Sequence, residues 1–220
     1  MRVFCLLFLG LSFHVINAQN LFGFHVGPTW GMNRTNIGGT AESSPLFGLS
    51  LAGFFQGNID YGLFIRTGLE LNKKGIQYRD VQWLDETGFE VGRVNLRIDQ
   101  QYVGIPLKLG YQFGERIGFR LMGGVYAGYL LRNTYGFDGT LYSGESLNIS
   151  ADRKSDYRAF DLGWTTGLEG FFRISKDLRF DLGISYQQGT VDMRNSMEQP
   201  DLNDRTQAIF AMLGVSFPLR

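Results

Sequence analysis

The sequence predicts an all-β chain: an eight-stranded antiparallel up-and-down transmembrane β-barrel with a polar lumen, long extracellular loops and short periplasmic turns. Three observations carry this expectation. Apolar residues recur at every second position, in segments of about ten residues, the length of a tilted membrane-spanning strand; a soluble strand is nearer five or six. The connections between segments alternate strictly between long and short. Charged residues within the segments fall on one face, while the other face is almost purely Leu, Ile, Val, Phe, Tyr, Trp and Ala.

The elements follow in order. Arg2 forms a positive n-region, Val3 to Phe13 an apolar run, and Ile16-Asn17-Ala18 a small-residue cleavage site before Gln19. Residues 1–18 are therefore expected to be a cleaved signal peptide, and residues 19–220 the barrel domain. The apolar run is too short for a comfortable membrane span, and no later segment approaches the roughly 18 apolar residues of a transmembrane helix. Cys5, the only cysteine, lies within the signal, so the mature chain has no disulfide.

Strand one alternates Phe22, Phe24, Val26 and Trp30 with Gly23, His25, Gly27 and Thr29. Strand two runs from Leu49 to Gln56, strand three from Leu63 to Asn72, and strand four from Val103 to Gln112. Strand five covers Phe119 to Leu131, strand six Phe160 to Phe172, strand seven Leu178 to Gln187, and strand eight Ala208 to Phe217. The long connections are 32–46, 73–100, 132–157 and 189–204; the short ones are 57–61, 113–116 and 174–177. Tight turns at one end and extended loops at the other are the habit of membrane barrels. An even strand count puts both termini on the turn side, expected to be periplasmic.

The faces separate a membrane barrel from a soluble one. A lipocalin-like barrel has an apolar interior and a wet exterior. Here the polar face holds Arg66, Glu70, Lys108, Arg120, Asp161, Glu169, Arg179 and Asp181. An Arg or Lys on the lipid face costs about 2–4 kcal/mol near the midplane, so these eight charges are expected inside, four positive against four negative. Eight strands leave an interior just wide enough for side chains, and the lumen is expected to be plugged. Glycine, 30 of 220 residues and roughly twice its usual share, gives room on that crowded face. Phe22, Phe55, Tyr111, Phe119, Phe172, Phe180 and Phe217 fall near turn-side ends, and Trp30, Tyr129, Phe160 and Tyr186 near loop-side ends, as two interfacial girdles.

Several segments resemble the outer-membrane β-barrel domain widespread in Bacteroidetes, the PorT-like or porin family. They are Phe22-Gly23-Phe24-His25-Val26-Gly27-Pro28-Thr29-Trp30-Gly31-Met32-Asn33, Gly68-Leu69-Glu70-Leu71-Asn72-Lys73-Lys74-Gly75, and Tyr102-Val103-Gly104-Ile105-Pro106-Leu107-Lys108-Leu109. The resemblance implies a small, integral outer-membrane barrel, and one type of member takes part in type IX secretion. The chain ends Phe217-Pro218-Leu219-Arg220, where such barrels commonly end on an aromatic residue.

Chemistry is sparse. Lys plus Arg and Asp plus Glu number 21 each, and this balance speaks against nucleic acid, whose binders are usually basic. After signal cleavage His25 is the only histidine, and with no cysteine a zinc site is not expected; no cofactor is expected. Asp161, Glu169 and Asp181 are better read as partners of Arg and Lys than as an acid/base set. The outer loops 73–100 and 132–157 mix charges with aromatics and are the expected contact for a protein partner; outer-membrane lipid is the other. The expected function is a structural or adaptor barrel accessory to a secretion or uptake complex, without catalysis. A narrow porin and an outer-leaflet lipid-modifying enzyme are the alternatives.

Overall fold

The alternation resolves into nine strands in the computed structural model, which describes residues 20–32, 42–193 and 205–219. The expected signal peptide and parts of the first and last long loops lie outside the described residues. The strands are β1 (Leu21–Gly31), β2 (Glu42–Asn58), β3 (Leu63–Leu84), β4 (Glu90–Phe113), β5 (Ile117–Leu141), β6 (Ser146–Asp152), β7 (Phe160–Arg173), β8 (Arg179–Gly189) and β9 (Gln207–Pro218). Eight of them close an antiparallel ring in the order β1-β2-β3-β4-β5-β7-β8-β9, with β9 returning to β1. β6 stands outside this ring and, among the described residues, pairs only with the outer part of β5, from Thr134 to Thr140.

Turn chemistry sets the short-turn end. Tyr61 (φ 47) and Gly62 (φ 89) both occupy the left-handed region, and the Leu63 N–H donates to the Asp60 carbonyl at 2.8 Å. This is a two-residue hairpin turn whose twist matches the flanking strands, at the far end of the expected short connection 57–61. An aromatic row runs around this end. Phe22 pairs with both Phe55 and Phe217, Phe113 with Phe119, and Phe172 with Phe180. Near the other end Trp30 meets Phe47, Tyr129 meets Phe160, and Trp164 meets Tyr186, with ring centroids 5.7, 5.4 and 5.2 Å apart. Between the rows Leu51, Leu69, Ile105, Leu107, Leu121, Leu182 and Leu213 stand exposed on the outer face.

Segments 73–100 and 132–157 depart from expectation: they are mostly strand. β3 and β4 continue to a tight turn at Asp85–Phe89, and β5 to one at Leu141–Glu145 before β6. The period of two persists there, but its polarity inverts. On β3 the outward residues pass from Leu69 and Leu71 to Lys73, Gln77 and Arg79, and the inward ones from Glu70, Asn72 and Lys74 to buried Ile76 and Tyr78. On β4 outward Val103 and Ile105 give way to Arg97 and Asp99, while Leu96 and Ile98 turn inward. The same strands are thus inside-polar in one half and inside-apolar in the other. That change is the physical mark of leaving hydrocarbon for water, because only in water is a polar outer face favourable.

The boundary is built with irregular backbone. The pairing of β4 with β5 slips at Gln101–Tyr102, leaving Leu131 as an extra residue, and that of β2 with β3 slips between Pro45 and Ser50. Such bulges re-aim side chains. At the same level β1 reaches across to β3, where the Thr29 hydroxyl donates to the Lys73 carbonyl at 2.7 Å. A Cβ on Gly31 would lie 2.3 Å from the Gly75 nitrogen, and one on Gly75 (φ 151) would lie 2.0 Å from the Ile98 oxygen, so this crossing tolerates no side chain.

Candidate functional site: an ion-paired lumen under an aromatic cap

All eight charges singled out from the sequence are buried inside the ring. They do not form one network. Near the short-turn end, Glu169 on β7 accepts from Arg66 Nη1 and Nη2 on β3, at 2.7 and 3.0 Å, and from Arg120 on β5. The Arg120 guanidinium also reaches Asp181 on β8, at 3.0 Å. Gln56 fills out this set by accepting from Arg66 at 2.7 Å, and the Arg66 guanidinium stacks 4.2 Å from the Phe54 ring centroid. Each of these charges thus meets its partners within a few ångströms, as a buried charge requires.

A second set lies one step further along the barrel. Lys108 Nζ sits 3.2 Å from Glu70, which also accepts from Asn72 at 3.2 Å and Gln187 at 2.7 Å. The third set is outermost. Asp161 accepts from Lys74 at 3.2 Å, from the Tyr126 hydroxyl at 3.0 Å and from the Thr206 hydroxyl at 2.6 Å. Above it, buried Tyr102, Leu130, Tyr157 and Met193 pack into an apolar cap, with the Tyr135 and Tyr157 hydroxyls 2.6 Å apart.

Two details differ from the arithmetic of the sequence. Lys74, assigned there to a loop, is buried and carries the charge that answers Asp161; continuing the alternation two residues past Asn72 would have found it. Arg179 has no carboxylate partner among the described residues; its Nη1 donates to Gln112 at 3.2 Å. The inner set is therefore five positive against four negative among the described residues, in place of four against four. The neutral partners Gln56, Asn72, Gln112, Tyr126 and Gln187 were also not singled out, because a polar residue on the inner face looks the same in sequence whether or not it bridges charges.

His25 is inward and buried, with Nε2 3.4 Å from Glu169 and its ring 4.6 Å from that of Phe54. With Glu169 and Asp181 it could offer ligand atoms to an ion. The chemistry of the set does not fit one: Arg66 and Arg120 already occupy the carboxylates, and a cation would face both guanidiniums. Voids of about 10 and 20 Å³ lie beside His25 and Glu70, room for about one water each.

The outer sheet of β3 to β6 carries its own polar contacts. The Tyr142 hydroxyl donates to Glu90 and holds its carboxyl below the usual carboxylate range, with Arg93 adding to the effect. Asp85 is lowered by the Thr87 hydroxyl and by the Phe89 N–H, which close the turn. The inner face is apolar, with Ile76, Tyr78, Leu96 and Ile98 packed against Val81, Tyr135 and Phe137.

A closed ring of eight strands, apolar outside and charged within, is the architecture in which membrane barrels satisfy every backbone group. The family model described as outer membrane protein beta-barrel domain matches residues 17–189. The chain belongs to that family. It is accordingly an integral outer-membrane β-barrel. No curated protein matches it. Among solved structures, this outer-membrane barrel is similar to Ail of Yersinia pestis, at 10% identity over 92% of this chain and 100% of that one, with TM-score 0.42. OprG from Pseudomonas aeruginosa is 12% identical over 92% and 97%, TM-score 0.44. A major outer membrane protein from Thermus thermophilus is 15% identical over 90% and 99%, TM-score 0.44.

Proposed function

We propose that the protein is a closed-lumen barrel with a structural or adaptor role, without catalysis. On this reading it meets another envelope component through the outer segments 73–100 and 132–157, as an accessory of a secretion or uptake complex. The PorT-like placement, the cleaved export signal at residues 1–18 and the periplasmic position of both termini belong to the same reading. The observation that carries it is the stack of three ion-paired layers beneath the aromatic cap, which fills the barrel with interlocked charged side chains. Asp161, Glu169 and Asp181 are fully buried and committed to Lys74, Arg66 and Arg120, which favours a structural use of these carboxylates over proton transfer to a substrate.

Planar-bilayer recording from the refolded protein tests the closed lumen. The expected trace has no stable open state; a stable conductance well above noise overturns this reading in favour of a narrow porin. Crosslinking from outer membranes tests the adaptor role, with crosslinkable residues placed at Thr87 and Ser143, in the two outer turns. A specific protein adduct at these positions is expected. A change in lipid A acylation that depends on the gene, read by mass spectrometry, favours the enzyme instead.

A further inference from the structure

Just beyond the loop-side aromatic row the outer face changes from apolar to charged, and its cations gather on one side. On the β3–β4 side Lys73 and Arg97 share Asp99, at 2.6 and 3.4 Å. On the other side stand Arg132 of β5 and, between β6 and β7, Arg153, Lys154 and Arg158. Arg153 is 3.5 Å from Asp156, and Asp152 accepts the Lys154 backbone N–H at 3.0 Å. Arg132, Lys154 and Arg158 form no ion pair among the described residues. Even with Asp192 counted, which has a partner of its own, this belt holds six cations to four carboxylates.

The three cations collect over one aromatic pair. Tyr129 of β5 is the cross-strand partner of Phe160 of β7, and both rings are exposed on the outer face. Lys154 Nζ lies 5.2 Å from the Tyr129 ring centroid, within cation–π range. Arg158 comes two residues before Phe160 and is exposed on the same face. Its N–H donates to the Met193 carbonyl at 2.7 Å, which fixes its backbone. Arg132 follows the bulge at Leu131, and both it and its cross-strand partner Gln101 are exposed. The Leu130 N–H donates to the Ala159 carbonyl at 2.8 Å, so Arg132 and Arg158 leave adjoining segments just past the aromatic pair. Paired segments lie about 4.8 Å apart, close enough for two long side chains to meet on one anion.

Interfacial aromatics sit at the level of the lipid headgroups, and basic groups at that level attract anionic ones. Guanidinium forks grip phosphate oxygens in pairs, while an ammonium adds a point charge. On the membrane side of the Tyr129–Phe160 pair, exposed Val125, Leu162 and Trp164 offer acyl chains an apolar track. We propose that Arg132, Lys154 and Arg158 bind the phosphate of a phosphorylated lipid in the outer leaflet, with its acyl chains lying along that track. The assignment to the outer leaflet rests on the orientation proposed above.

Native mass spectrometry of the refolded barrel in detergent, with diphosphoryl lipid A as the probe, tests the site. Retention of one lipid A per barrel is expected, and removing the phosphates from the probe weakens it at least tenfold. R132Q/R158Q weakens it at least tenfold and K154Q several-fold, whereas R116Q, at the opposite end of the barrel, leaves it unchanged. Both arginines are exposed, and heat-dependent gel mobility reports whether each variant is folded; should the double variant fail to fold, K154Q carries the comparison. No retention, equal retention of the dephosphorylated lipid, or equal retention by the folded variants overturns the proposal. Full competition by equimolar glucosamine 1-phosphate overturns the lipid assignment in favour of a soluble phosphate. Orientation is read separately, by labelling S143C on intact cells with a membrane-impermeant maleimide. Label is expected; its absence, with lipid A still retained by the purified barrel, overturns the leaflet and the proposed orientation together, so the two failures are told apart.

Discussion

Replacing Glu169 by glutamine removes the charge at the centre of the innermost layer while keeping its shape. Arg66 and Arg120 both point at this carboxylate, and both are almost fully buried. In Glu169→Gln, Arg66 keeps its bonds to Gln56 and a weak one to Met122 Sδ, and Arg120 keeps Asp181 and Gln112. Breaking a buried pair by removing one partner costs about 3–5 kcal/mol. The carboxamide oxygen still accepts one hydrogen bond, and Asp181 still answers Arg120, so a loss of about 3 kcal/mol is expected. The assay is urea-dependent unfolding in lipid vesicles, followed by tryptophan fluorescence and by gel mobility. Replacing Arg66 and Glu169 together by methionine recovers much of the loss, since an apolar substitute for a buried pair is often neutral. A Glu169→Gln penalty below about 1 kcal/mol, the value of a solvated surface pair, would refute the reasoning: the lumen would then be wet enough to screen its own charges.

Further outcomes follow from the same geometry. Leu107→Arg places on the lipid face the kind of charge that Lys108 carries inside, and should cost about 2–4 kcal/mol in vesicle unfolding. Gly75→Ala sets a Cβ in a rarely allowed backbone conformation and 2.0 Å from the Ile98 oxygen; a loss of about 1–3 kcal/mol is expected. The outer turns should respond to acid. Because the folded Glu90 carboxyl is held below its ordinary range by Tyr142, the contact is complete above that range and is lost as pH falls through the lowered value. Faster hydrogen exchange at Tyr142 on acidification, relative to Tyr142→Phe, checks this.

Which face of each strand turns inward was legible from the sequence, because a period of two needs no partner to be read. Arg66, Glu70, Lys108, Arg120, Asp161, Glu169, Arg179 and Asp181 are all inside for that reason. The ends of the strands were not legible. Beyond Lys73 and before Gln100 the outer face becomes charged, and a charged outer face reads as loop although the alternation inside it continues. The resemblance to known barrels shared this blind spot: its segment Gly68–Gly75 ends at the residue where the polarity inverts.

Pairing was the other hidden quantity. Alternation says that Glu169 and Asp161 both point inward. It does not say that Glu169 meets Arg66 while Asp161 meets Lys74, because no short-range signal relates β3 to β7, which lie 103 and 87 positions apart at these contacts. Across the lumen, partners are chosen by which residues reach the same height once the ring has closed, and that depends on strand stagger, bulges and tilt. So the sequence by itself determined a barrel with charges inside and hydrocarbon-compatible residues outside. Only the closed ring decided that Lys74 answers Asp161, that Arg179 donates to Gln112, and where the strands pass from lipid into water.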